Sequence, residues 1–214
     1  RTGQRLVIVL KRDAVAKVCA QFPAEYWRKC DDTGDWPEEF TRAMADGGWL
    51  GIAMPEEVGG SGMGLMEASI MMQTVARSGA GMSGASALHI NIFGLNPVVV
   101  YGTEEQKRRM LPPLVAGKEK SCFAVTEPNT GLDTTQLKTR ADRRNDRYVV
   151  NGQKVWISTA QVAEKMLLLA RTTPADKVAK KTEGLSLFYT TIDRQRVEVR
   201  EIENLTRGRL RAEI

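Results

Sequence analysis

Leu6, Val7, Leu10, Ala14, Val18 and Cys19 recur at three- and four-residue steps, the spacing of one apolar helix face. Asp35-Trp36-Pro37-Glu38 predicts the next helix start, with Asp35 as cap, the proline early and the glutamate three residues on. Such a cap contributes ~1 kcal/mol. Gly47 and Gly48 end that helix. Another is expected from Leu65 to Ser78, carrying Met66, Ile70 and Val75, until Gly79 stops it. The stretch Ala85 to Tyr101 is apolar on nearly all sides, the pattern of a buried helix. Thr103-Glu104-Glu105-Gln106 is a capping box opening one more helix. Pro112 and Pro113, which have no N–H to donate, are expected to interrupt it.

After about residue 119 the period changes. Ser121 to Thr126 reads as a strand, and Tyr148 to Ile157 as a hairpin turning at Asn151-Gly152, a pair suited to a type I′ turn. Lys165 to Arg171, Leu185 to Thr190 and Val197 to Ile202 predict three more strands, with a polar loop from Thr172 to Gly184. Strands that follow one another without helices between them predict antiparallel pairing. The fold class expected is therefore α+β, with an all-helical domain over residues 1–118 and an antiparallel β-barrel-like domain over 119–214.

Composition narrows the class. Hydrophobic residues make up 42% of 214 and charged residues 27%, ordinary values for a globular protein. No apolar run nears the ~20 residues of a membrane-spanning helix, and no secretory signal is visible. Cys19, Cys30 and Cys122 form neither a CxxC nor an even set, which speaks against a disulfide framework or a zinc site and for a reducing compartment. His89 is the one histidine and lies in an apolar stretch, which excludes most Ser-His-Asp schemes. The net charge of +5 gathers late, at Arg194, Arg196, Arg200, Arg207, Arg209 and Arg211. These arginines are not interleaved with aromatics, so a solvated face is favoured over nucleic-acid binding.

Gly79-Ala80-Gly81-Met82-Ser83-Gly84 matches G-x-G-x-x-G, but a helix leads into it. A dinucleotide site needs a strand there, so these glycines are read as a helix–helix connection. Two other segments carry candidate chemistry. Cys122 to Asp133 (CFAVTEPNTGLD) runs a strand into a turn of small and polar residues; Thr126 sits where the strand ends, and Gly131 permits close backbone approach. Asn151 to Thr159 (NGQKVWIST) sets a tryptophan beside two hydroxyls, a wall suited to a planar aromatic cofactor. For either segment alone, a core tryptophan with turn-end hydroxyls is the better reading.

In this order after a helical domain, Ala124-Val125-Thr126-Glu127-Pro128 with Gly131 and Asp133, and Asn151-Gly152 with Lys154 and Trp156-Ile157-Ser158, resemble the acyl-CoA dehydrogenase family. Trp49 to Ile52, Pro55 to Gly62 and Tyr101 to Lys107 resemble it further. The resemblance implies FAD as cofactor. It implies that Val125 and Thr126 contact the flavin ring, that Trp156 packs beside it, and that Ser158 approaches flavin N5. Gly131 is implied near the pyrophosphate and acyl-thioester channel, and Phe123 fills an often aromatic position. Leu132 stands where the family usually has a phosphate-binding serine, leaving only its backbone N–H. The activity implied is α,β-desaturation of an acyl-CoA. Electron-transferring flavoprotein is the implied acceptor, the complete protein a homodimer or homotetramer, and the compartment bacterial cytoplasm or mitochondrial matrix. The family's C-terminal helical domain and its glutamate base are expected to be absent, and Glu127 is read as structural. Residues Asn204 to Ile214 do not obviously continue the family pattern. A truncated, non-catalytic flavin- or partner-binding relative and a flavoprotein of other chemistry stay open beside the dehydrogenase.

Overall fold

The computed structural model describes residues 12–203 and 211–214. The expected apolar positions Leu6, Val7 and Leu10, and Arg207 and Arg209 of the basic tail, lie outside them. The chain divides at Lys120/Ser121, and Arg211–Ile214 return to the second unit.

The first unit is helical. Its elements are α1 (residues 12–19), α2 (Ala24–Thr33), α3 (Glu38–Asp46), α4 (Leu65–Val75), α5 (Gly81–Phe93), α6 (Asn96–Tyr101) and α7 (Glu104–Val115). The apolar faces of α1 to α5 meet in one core that includes Val15, Trp27, Phe40, Met44, Ile52, Met71, Val75 and Leu88. Phe40 is its hub: the Trp27 ring lies 4.9 Å from it and the Phe22 ring 5.4 Å, both near edge-on. Burying such a side chain contributes ~1.5–3 kcal/mol.

Local chemistry explains the helix ends, with four departures from expectation. Thr103 caps α7 as expected: its Oγ1 accepts from Gln106 N at 3.2 Å, and Thr103 N donates to Gln106 Oε1 at 2.9 Å. Asp35 does not cap α3; Pro37 holds that position without a side-chain bond. Pro112 and Pro113 do not interrupt α7, which continues to Val115. Both prolines sit in the last turn, where their carbonyls still accept, Pro112 O from Ala116 N at 3.0 Å and Pro113 O from Lys118 N at 2.9 Å. The stretch Ala85 to Tyr101 is two helices, because Gly94 and Pro97 fall inside it and a proline cannot continue the hydrogen-bond ladder. The glycine connection is shorter than expected: α4 runs through a π-type turn at Ala76–Ala80, Gly79 turns at φ 98°, and α5 already begins at Gly81, so Gly84 lies within a helix.

The second unit holds β1 (Ser121–Ala124), β2 (Arg140–Arg144), β3 (Arg147–Asn151), β4 (Ile157–Ser158), β5 (Lys165–Arg171), β6 (Leu185–Thr191), β7 (Arg200–Ile202) and β8 (Arg211–Glu213). β5 is central. It pairs with antiparallel β6 from Lys165↔Thr191 to Arg171↔Leu185. It also takes β1 in parallel, from Ser121↔Lys165 to Ala124↔Leu168, and β2 in parallel at Arg140↔Arg171. Successive buried residues Met166, Leu167 and Leu168 fit a strand covered on both faces. β3 pairs with β2, and a separate sheet runs β4-β8-β7.

Two expectations are corrected here. The larger sheet is mixed, the β4-β8-β7 sheet is antiparallel, and neither closes into a barrel. Sequence neighbours do pair antiparallel, as β2–β3 and β5–β6 show. The chain between β1 and β5, however, is long enough for a crossover without a helix. The hairpin turn lies at Asn145-Asp146, with Asn145 at φ 57°, and not at Asn151-Gly152. Asn151 instead ends β3 opposite Arg140. Gly152 is required by crowding: a Cβ there would stand 2.6 Å from both Cβ and Cγ2 of Thr139. The chain end is also less foreign than its sequence suggests, since Arg211–Glu213 pairs with both β4 and β7.

Candidate functional site

The two segments singled out by sequence cross in the second unit. Past β1 the chain makes a tight turn, with Glu127 N donating to Thr130 O at 2.9 Å and Thr130 N to Glu127 O at 3.1 Å. Past β3 the chain returns beside it, and Val155 N donates to Thr126 O at 2.9 Å. Lys154 Nζ donates to Val125 O at 3.0 Å and to Glu127 Oε1 at 2.9 Å. Glu127 also accepts from Lys138 N at 2.7 Å and Thr139 N at 2.9 Å.

This ion pair is almost dry, with side-chain exposures of 2% for Lys154 and 6% for Glu127. Burial pushes the Glu127 carboxyl up, but its donors outweigh that and hold it below the usual carboxylate range. The nearby Thr139 hydroxyl adds to the lowering without closing a well-aligned hydrogen bond. Burial lowers the Lys154 ammonium, and Glu127 opposes that shift. The oxygens of Glu127, expected to be structural, are taken by two amides and an ammonium.

The crossing ties Val125 and Thr126 to Lys154 and Val155, the two residues just before Trp156. Val125 and Thr126 are half-buried, and Phe123 is half-buried in β1. Trp156 is 57% exposed and sits at φ 63°, where a bulky residue is a rare outlier costing ~1–3 kcal/mol. Ser158 follows in β4, half-buried, opposite Arg211. Thr159 then turns at φ 73°, so two left-handed residues flank the two-residue strand. Thr159 accepts from Val162 N at 3.0 Å and Ala163 N at 2.9 Å, which fixes that bend. Gly131 and Leu132 lie in the exposed turn after Thr130, with open space beside Gly131. Among the described residues no hydrogen bond ties either to Trp156 or Ser158.

An exposed indole held on strained backbone beside a half-buried hydroxyl suits the face of a planar ring system. The crossing therefore fits a flavin, with Val125, Thr126, Trp156 and Ser158 as the residues that would hold it.

Some functional side chains escaped the sequence reading. Lys154 was noted in the motif, but nothing marks one lysine as buried. Arg171 at the end of β5 is 6% exposed and donates to Thr135 O at 2.8 Å and Glu183 O at 3.2 Å. It thus ties the expected loop, Thr172 to Gly184, to the turn beyond Leu132. Arg194 donates to Ala160 O at 2.9 Å and Ala163 O at 2.7 Å, and Arg200 pairs with Glu198 at 2.8 Å, so both arginines are engaged within the unit. His89 Nδ1 lies 2.7 Å from Ser86 O, a satisfied histidine on α5.

Comparison with known proteins agrees with the fold. Residues 9–118 match "Acyl-CoA dehydrogenase, N-terminal domain" and residues 122–211 match "Acyl-CoA dehydrogenase, middle domain". The chain belongs to the acyl-CoA dehydrogenase family. It is 31% identical over 179 residues to the mitochondrial isovaleryl-CoA dehydrogenase of Solanum tuberosum, covering 83% of this chain and 42% of that protein. It is 30% identical over 203 residues to the caffeyl-CoA reductase-Etf complex subunit CarC of Acetobacterium woodii, covering 94% and 51%. A solved structure of a probable acyl-CoA dehydrogenase from Mycobacterium abscessus superposes with a TM-score of 0.85 at 28% identity, covering 95% of this chain and 54% of that one. The chain thus spans about half the length of these relatives. Among the described residues no helix is long and apolar enough to cross a membrane.

Proposed function

We propose that this chain is the flavin-facing part of an FAD-dependent acyl-CoA dehydrogenase that introduces an α,β double bond into an acyl-CoA thioester. The observation that carries the reading is the crossing, where Val155, bonded to Thr126, leads directly into the exposed Trp156. FAD, when bound, supplies the hydride acceptor. Trp156 offers an apolar wall that keeps water from one side, and the Thr126 and Ser158 hydroxyls offer hydrogen bonds to ring heteroatoms. Phe123 lines β1 on the way to that wall. Gly131 leaves room for close approach of a phosphate, and the Leu132 N–H is the donor left where its side chain has none. Electron-transferring flavoprotein as acceptor and a homodimeric or homotetrameric whole protein belong to the same proposal.

A second reading, flavin binding without turnover, is favoured by one observation: Glu127, the carboxylate at the crossing, is fully engaged and cannot serve as base. One experiment separates them. The purified chain is titrated with FAD, its visible spectrum recorded, and acyl-CoA added anaerobically. Flavin that binds and bleaches, with enoyl-CoA formed, supports the dehydrogenase. Flavin that binds and stays oxidised supports the second reading. No flavin uptake by the chain removes the claim that these residues suffice to hold it.

A further inference from the structure

The two segments of the crossing are distant in sequence, and something must hold them in register. Lys154 is where the restraints converge. Its backbone makes a reciprocal pair with Ile214, Lys154 N donating to Ile214 O at 2.6 Å and Ile214 N to Lys154 O at 2.9 Å. Its side chain reaches the other way, to Val125 O at 3.0 Å and Glu127 Oε1 at 2.9 Å. Glu127 passes the restraint on to the Lys138 and Thr139 amides. The next residue, Val155, is bonded to Thr126, and the one after is Trp156 at φ 63°. A strained conformation persists only where its surroundings over-determine it, and Lys154 lies two positions away from this one with both ends fixed.

We infer that Lys154, clamped by Glu127 and Val125, is a positioning residue that sets the Trp156–Thr126 wall in the geometry a flavin ring requires. The inference rests on the proposed flavin role but makes a separate claim about the chain itself. A lysine fits the task because its ammonium can serve several acceptors at once from a single stem. Here the acceptors are the carbonyl of one candidate flavin residue and the carboxylate two positions on.

The test uses the full 214-residue chain. Lys154→Met removes the charge and keeps the stem. The double variant Lys154→Met/Glu127→Gln removes both charges, so that no uncompensated buried carboxylate threatens folding. Hydrogen exchange is followed at the Val155 amide and along β5–β6, and FAD binding is followed by its affinity and its visible spectrum. We expect Val155 exchange to rise by ~10-fold or more in both variants, while β5–β6 keeps its protection, as local opening requires. We expect FAD to bind about 10-fold more weakly and the band of the remaining bound flavin to shift, a signature that general loss of stability would not produce. Unchanged Val155 exchange and an unchanged flavin band in the double variant would overturn the inference. Loss of β5–β6 protection in both variants would also overturn it, because the pair would then be a global support. If the unaltered chain takes up no FAD, the functional reading fails, and the clamp is decided by Val155 exchange alone.

Discussion

Gly152→Ala tests whether crowding or conformation selects the glycine after β3. In a type I′ turn Gly152 would be needed for its positive φ, and asparagine would replace it at small cost. The structure gives a different reason. Gly152 has no positive φ, but a Cβ would meet Thr139 Cβ and Cγ2 at 2.6 Å, well inside the 3.4 Å where ordinary contact begins. Thr139 cannot retreat cheaply. It is buried, its N is bonded to Glu127 Oε1 at 2.9 Å, and its O accepts from Arg171 N at 2.8 Å. The cost of Gly152→Ala should therefore lie at the upper end for overpacking, about 3 kcal/mol. Gly152→Asn should cost at least as much. Thr139→Ala deletes Oγ1 and Cγ2, two of the three crowding atoms, so the double variant should recover roughly 1 kcal/mol or more of coupling. Urea unfolding of the four species, with ΔG from linear extrapolation, measures the cycle. A Gly152→Ala cost within about 0.5 kcal/mol of zero, or Gly152→Asn milder than Gly152→Ala, would refute the steric account.

Two further outcomes follow from buried charge. Arg171→Met should destabilise by roughly 2–4 kcal/mol, since it deletes charge-assisted bonds to Thr135 O and Glu183 O, although the loop carbonyls can partly turn to water; limited proteolysis should then cut between Thr172 and Gly184 sooner than in the unaltered chain. Glu127 has a folded pKa below its unfolded one, so its contribution is complete above the ordinary carboxylate range and is lost as pH falls through the lowered value. The acid limb of a stability–pH curve should accordingly be shallower in Glu127→Gln, and a parallel limb would count against the pair as a source of acid sensitivity.

What the sequence carried, and what it did not, follows the range of the forces involved. The Thr103–Gln106 box is written in four adjacent residues and formed as expected. The two chemistry-bearing segments were recognisable because each is a local string, and their meeting followed from the family likeness. The parallel pairing of β1 with β5 was not legible, because Ser121↔Lys165 leaves no mark on either strand's own alternation. Asn151-Gly152 misled because it has the composition of a turn, whereas Asn145-Asp146 does the turning and Gly152 answers to Thr139. Lys154 and Arg171 look like surface cations in any pattern-based reading. Only the tertiary structure supplies the acceptors that make their burial tolerable.

The order of β4-β8-β7 has a consequence for how the chain emerges from the ribosome. β8 lies between the other two strands, so β4 acquires its ladder neighbour only when Arg211–Glu213 has been made. Elongation from Ser158 to Arg211 at ~5–20 residues per second leaves β4, with the neighbouring Trp156, waiting about 3–10 s. During that interval the nascent chain presents an open strand edge next to a large aromatic side chain, a combination that aggregation exploits.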